Sequence, residues 1–222
     1  MKMIGLSIRF TEPGYIAHPM TQEKSTVINI LKKSGYNRAR GENKRKQVLD
    51  SELKKLGLSQ EQYDDLVAKS NRPFVTLEGG EILIVAHNVG AFLANTAHKA
   101  PKNICGLEAQ MVRTAVHVRR PGFTTGKHLG DVETIVDGKR TRGDAKVWGR
   151  FVKLEESNER SWQENWFIDN FEAQGVFQVD ERMITVEKLR SMVEWGGIFV
   201  GIGASRGQDY GRFELVKFEE IA

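Results

Sequence analysis

A single cysteine, Cys105, stands among 222 residues. That excludes an intramolecular disulfide and a cysteine-built zinc site. Long apolar runs are missing too, since no stretch approaches the ~20 residues of a membrane-spanning helix. The N-terminus, Met1-Lys-Met-Ile-Gly-Leu-Ser-Ile-Arg-Phe10, alternates like a strand and lacks the apolar centre of a secretory signal. A cytoplasmic chain is therefore expected. There is no internal repeat and no low-complexity tract. The paired carboxylates Asp64-Asp65 and Glu155-Glu156 read as solvated faces, so no metal and no other cofactor is expected.

Basic residues outnumber acidic ones only slightly, 33 to 29, for a net charge of +4. Their distribution says more than their sum. Lys32, Lys33, Arg38, Arg40, Lys44, Arg45 and Lys46 crowd one stretch against the single acid Glu42. A second region carries Arg113, Arg119, Arg120, Lys127, Lys139, Arg140, Arg142, Lys146 and Arg150, diluted by Asp131, Glu133, Asp137 and Asp144. Such clusters concentrate a polyanion and make its binding salt-sensitive. The plainer explanation is a pair of solvated loops.

Periodicity gives the elements. Residues 3–10 read as a strand and Lys24–Lys33 as a short helix. Residues 34–46 look like a mobile basic connector. A helix marked by Val48, Leu49, Leu53 and Leu56 ends at Gly57, and Ser59-x-x-Gln62 opens another with a capping box. Ile82–Val85 reads as a buried strand, and about His87 to His98 as a helix facing inward through Val89, Phe92, Leu93 and Ala97. Val112–Val118 alternates like a strand. Residues 119–143 hold five glycines and read as a long loop or protruding hairpin turning at Asp137-Gly138. Lys146–Leu154 and Trp166–Val179 supply strands, the latter broken near Gly175. Thr185 caps a helix closed by Gly196-Gly197, and Phe213–Phe218 is the last strand. The expected class is α+β, one domain over 1–222. Its core would be a ferredoxin-like (RRM-type) βαββαβ sandwich with a helical insertion at 34–72 and a thumb at 119–143. Nucleic-acid binders of this type use the sheet face that the helices leave uncovered.

Between the last helix and strand runs Gly201-Ile-Gly203-Ala-Ser-Arg206-Gly207-Gln-Asp-Tyr210-Gly211-Arg212-Phe213, with four glycines and two arginines in thirteen residues. It is neither a Walker loop nor a dinucleotide fingerprint, because Arg206 replaces the third glycine and the helix precedes the strand. Glycines admit close backbone approach, and arginines fit phosphate. The competing explanation is a turn joining two core elements.

The segment Trp195-Gly196-Gly197-Ile198-Phe199-Val200-Gly201-Ile202-Gly203-x-x-Arg206-x-x-x-Tyr210-Gly211-Arg212-Phe213-Glu214-Leu215 resembles the C-terminal glycine-rich signature of the RAMP superfamily. These repeat-associated proteins build CRISPR ribonucleoprotein complexes, and the segment is similar to C-termini of phage and prophage proteins. The resemblance is weaker at Ile82–His98 and absent over 34–72. It implies a ferredoxin-like core whose glycine-rich loop lies against RNA or single-stranded DNA, and self-association along the strand through a thumb at 119–143. Fewer glycines and basic residues follow Gly203 than is usual in the family, and the basic stretch at 32–46 has no counterpart there.

The expected function is non-catalytic binding of RNA or single-stranded DNA. Gly201, Gly203, Arg206, Gly207, Gly211, Arg212, Arg113, Arg119, Arg120, Lys127, His128, Lys139, Arg140, Arg142, Lys146, Trp148, Arg150, Lys44, Arg45 and Lys46 are the candidate contacts. Trp148, flanked by Lys146 and Arg150, is the ring expected to stack on bases. Two alternatives stand beside this. One is a metal-independent endoribonuclease, as some RAMP proteins are, with His18 ahead of His87, His98, His117 and His128 as catalyst; other RAMP proteins cleave RNA with a thumb aspartate, and Asp131, Asp137 and Asp144 lie in the thumb expected here. The other is a phage protein that occupies a CRISPR partner through protein contacts.

Overall fold

Alternation sets the centre of the structure, a computed structural model describing residues 1–17, 22–70, 74–153 and 160–221. β1 (Lys2–Phe10) turns Ile4, Leu6, Ile8 and Phe10 to the core. The chain divides into two compact units, Met1–His18 with Phe74–Ala222, and Pro19–Pro73. One domain with an insertion at 34–72 was expected; the second unit instead begins before α1 (Gln22–Ser34).

In that second unit α1 packs with α2 (Glu42–Leu56) and α3 (Gln60–Ser70) around Val27, Ile30, Leu53 and Tyr63. The capping box forms as read: Gln62 N donates to Ser59 Oγ at 3.1 Å and Ser59 N to Gln62 Oε1 at 2.8 Å. The connector expected at 34–46 is different. It is a 3-10 turn at Tyr36–Arg38 followed by the start of α2. Lys44, Arg45 and Lys46 therefore stand on a helix. Residues 42–47 are all exposed, so the first turn of α2 has no apolar face for periodicity to detect. Arg45 bonds Ala39 O at 3.1 Å and lies over the Tyr36 ring.

The larger unit continues with β2 (Val75–Thr76), β3 (Glu81–Val85), α4 (Ala86–Lys99), α5 (Ala109–Ala115), β4 (Val116–Val118) and β5 (Gly122–His128). Then come β6 (Thr134–Val136), β7 (Lys139–Arg142), β8 (Ala145–Lys153), β9 (Arg160–Phe167), β10 (Glu172–Val179), α6 (Val186–Phe199) and β11 (Phe213–Ile221). The seven-stranded sheet runs β11-β1-β10-β5-β3-β2, with β4 also on β10; a four-stranded sheet runs β6-β7-β8-β9. Every pairing is antiparallel. The described residues are thus mixed α+β, with six α-helices. α4 and α6 contact each other and bury Val89, Phe92, Leu93, Leu189, Met192 and Val193 in one core with β1 and β10. Among the described residues, no helix is long and apolar enough to cross a membrane.

Four local expectations are corrected. Val112–Val118 is mostly helix, because Val112 and Ala115 are buried at helical spacing and only β4 alternates. Residues 119–143 are not one excursion, since β5 belongs to the main sheet and the second sheet runs on to Phe167. The hairpin turn at Asp137 (φ 51°) and Gly138 (φ 72°) does form. Gly175 does not break a strand. It sits inside β10 under the Phe123 ring, where a Cβ would meet Cδ1 at 1.9 Å, and the break falls between β9 and β10. Gly196 and Gly197 do not end α6; a Cβ on the first would lie 2.4 Å from Thr96 Oγ1 and on the second 2.5 Å from Phe213 O. They let α6 approach α4 and β11. Thr185 caps α6 as read, accepting from Lys188 N.

Candidate nucleic-acid interface

The glycine-arginine loop turns most of its amides inward. Gly201, Gly203 and Gly211 are buried, with φ of 74°, 94° and 80°. Ile202 N donates to Gly211 O, Ala204 N to Ile16 O and Gly211 N to Gly14 O, at 2.8, 2.9 and 2.7 Å. The exposed part is the tip, Gly207, Gln208 and Asp209, formed by a 3-10 turn at Arg206–Gln208 and the residue after it. Arg206 is half-buried. Arg212 ties the loop's ends together, its Nη2 3.4 Å from Arg206 O and its Nε 3.8 Å from Asp209 Oδ1. Its Nη1 is buried with no partner among the described residues.

Beneath this loop lies Tyr15, fully buried and accepting a 3.3 Å bond from Asn88 Nδ2. Burial pushes its phenol up to about 12 from an ordinary 10, with Asn88 pulling slightly the other way. The folded state thus holds this proton more tightly than the unfolded chain. Its contribution is complete below pH 10 and is lost as pH rises through that window. We expect the urea midpoint to fall from about pH 10 upward, and less steeply in Tyr15→Phe. Tyr63 and Tyr210, also raised by burial, and Lys2, raised by its bonds to Glu220 and Glu181, add to the remaining slope.

On the second sheet most candidate cations are already engaged. Trp148 packs on Tyr210 with ring centroids 5.3 Å apart, so its half-buried ring buttresses the glycine loop. Lys146 Nζ is 2.8 Å from Asp169 Oδ2. Arg140 pairs with Glu133 and Glu164 and lies over Trp166, holding the Glu133 carboxyl below its usual range. Arg142 Nε bonds Gly130 O at 2.7 Å. Lys139 is exposed beside the hairpin turn. Arg150 lies opposite Gln163 of β9, its side chain outside the described residues.

The uncovered face of the main sheet is also unsuited to a polyanion. Around Arg9 and Lys217 it carries Glu172, Glu214 and Glu219, and Arg9 Nη2 is bound to Glu172 Oε1 at 2.7 Å. None of these positions offers a ring to stack on.

A cationic concavity lies elsewhere. β10 shares one edge between β4 and β5; the link between them is fixed by Arg119 N on Val176 O and by Ala86 N on Pro121 O. Where β4 and β5 part, an open groove of about 820 Å³ is left. Val75, Leu83, Val85, Leu93, Val112 and Val116 line it, and its polar residues are Arg113, Arg120, His87 and His117. No carboxylate is among its described lining residues. Arg113, Arg119 and Arg120 are exposed, and no described residue pairs with them. Sequence reading found these arginines but assigned Arg113 to a strand, weighed His87 and His117 only as catalysts behind His18, and missed Gly90, which also lines the groove. The available signal was a glycine inside a helical pattern.

The remaining candidates are not brought to this groove. Lys127 and His128 lie at the far end of β5, where His128 N bonds Asp144 Oδ2 at 2.8 Å. Asp137 is in the hairpin turn and His98 is exposed near the end of α4. His18 and Glu155-Glu156 lie outside the described residues. Among the described residues, no group of three or more His, Cys, Asp or Glu side chains could hold a metal. The sequence matches no protein-family model and no curated protein.

Proposed function

We propose that the chain binds RNA or single-stranded DNA without cleaving it, through Arg113, Arg119 and Arg120 beside the groove between β4 and α4. The observation that carries this reading is charge left unanswered. Exposed Arg113 and Arg120 line one concavity with no described carboxylate, and exposed Arg119 adjoins Arg120 in the chain, while Arg140, Lys146, Arg212 and Arg9 are engaged with acids. Arginines held this way suit successive phosphates.

The core is read as the ferredoxin-like sandwich of a RAMP-type subunit. Its support is strand order: β11, β1, β10 and β4 neighbour one another, with α4 and α6 as the two crossovers. That is the fourth, first, third and second strand of a βαββαβ unit. In this reading the glycine-arginine loop closes the sandwich, and only its Arg206–Gly207 tip is left for a ligand. The β6–β7 hairpin and the residues leading into it bear Val132, Ile135 and Val136, at 73%, 73% and 54% exposure, which supports self-association along a strand.

The test is an anisotropy titration of the intact chain with labelled single-stranded RNA and DNA at two salt concentrations. Binding that weakens with salt is expected. No binding to either at low salt overturns the reading in favour of a protein-only partner. His87 and His117 both line the groove, which favours a second reading as a metal-independent ribonuclease using one imidazole as base and the other as acid. Discrete RNA cleavage in EDTA, lost in His117→Ala, would establish it.

A further inference from the structure

We infer that the groove seats a single unpaired nucleobase, so that the chain reads a strand through an extruded base as well as through its phosphates. The inference rests on the nucleic-acid reading above and deepens it. Gly90 is the first support. It lies within α4 and lines the groove, yet a Cβ built there meets no atom within 4 Å. Gly196 and Gly197 of α6 are required by neighbours less than 3 Å away; Gly90 is required by none. A glycine weakens a helix interior relative to alanine, so packing gives no reason for it. It does keep the groove open.

The groove's chemistry fits a base better than a bare backbone. Its volume, about 820 Å³, falls within the range of pockets that hold small ligands. Aliphatic walls from β3, α4 and α5 suit the flat faces of a base. Polar groups for its edge lie alongside. Among the described residues, β4 is paired on one side only, to β10. Ala115 O accepts from Asp180 N, and Arg119 N donates to Val176 O. By alternation, the N–H and C=O of Val118 then point the other way, to the groove. His87 and His117 are also among the lining residues. Arg113 and Arg120 stand where the phosphates flanking an inserted base would lie, and this charge favours a polynucleotide over a peptide strand docking on the same edge. A base stacked and paired in a duplex cannot enter.

The test uses the full chain, labelled oligouridylate and oligothymidylate, and equally long abasic sugar-phosphate strands. The wild type should prefer the strand with bases by about tenfold. Gly90→Phe, which projects a ring into the groove, should bring that ratio close to one and leave the salt dependence intact. Gly90→Ala should raise thermal stability, since no neighbour requires the glycine. If Gly90→Phe does not fold, Gly90→Leu serves the same purpose. Equal binding of based and abasic strands by the wild type overturns the pocket while leaving the phosphate reading standing. So does an undiminished preference in a folded Gly90→Phe. Failure to bind any strand overturns both readings and turns the groove over to a protein segment.

Discussion

Gly211→Ala will destabilise the protein by about 3 kcal/mol or more, a large share of the 5–15 kcal/mol that holds a typical domain together. The expectation follows from where the glycine sits. Its φ is 80°, and an added Cβ would lie 1.8 Å from Ile202 O, inside the backbone. Left-handed strain alone is worth about 1–3 kcal/mol. Relieving the overlap would also pull Gly211 from two close bonds, its N–H on Gly14 O at 2.7 Å and its carbonyl under Ile202 N at 2.8 Å. Gly207 provides the comparison in the same loop: exposed, with nothing within 4 Å of a built Cβ. Gly207→Ala should change stability by no more than about 0.5 kcal/mol. Urea unfolding of the two variants separates the possible roles of the loop. If Gly211→Ala unfolds at the wild-type midpoint but loses affinity for oligonucleotides, the glycines serve the ligand and the loop does not close the fold.

That loop illustrates what the sequence discloses. Four glycines with two arginines mark a close approach, and a close approach is there. Its partner is not legible, because Tyr15, Ile16 and Gly14 lie nearly two hundred residues away and nothing local announces them. The same limit explains Gly175, Gly196 and Gly197. As punctuation they read as breaks, but Phe123, Thr96 and Phe213 cross over them, and such tertiary contacts have no period. Elements with an apolar stripe were legible almost to the residue. β1, β3, α4 and the Thr185 cap depend only on local pattern and capping chemistry. The start of α2, wholly exposed, had no stripe to show. The candidate interface divides in the same way. Clustered arginines are visible in composition, but which of them face a carboxylate depends on the fold. Arg140 is answered by Glu164 from another strand, whereas Arg113, Arg119 and Arg120 have no described acid opposite them.

That division yields the largest functional effect expected. Changing Arg113, Arg119 and Arg120 together to glutamine should weaken binding of a single-stranded oligonucleotide about a hundredfold at moderate salt. The slope of log affinity against log salt should fall by about 2, since each phosphate neutralised on a single strand contributes about 0.7. All three side chains are exposed and unpaired among the described residues, so unfolding free energy should stay within about 0.5 kcal/mol. The loss will therefore not be a folding defect. Arg140→Gln with Lys146→Gln is the matched control, removing positive charge from the second sheet. Because Glu133, Glu164 and Asp169 already oppose those two cations, their removal should leave the salt slope nearly unchanged. The reverse outcome, with the triple variant binding like wild type and the double variant failing, would move the interface to the second sheet. Trp148 and the exposed hairpin would then be the surface that meets the strand, and the groove would be left without a polynucleotide.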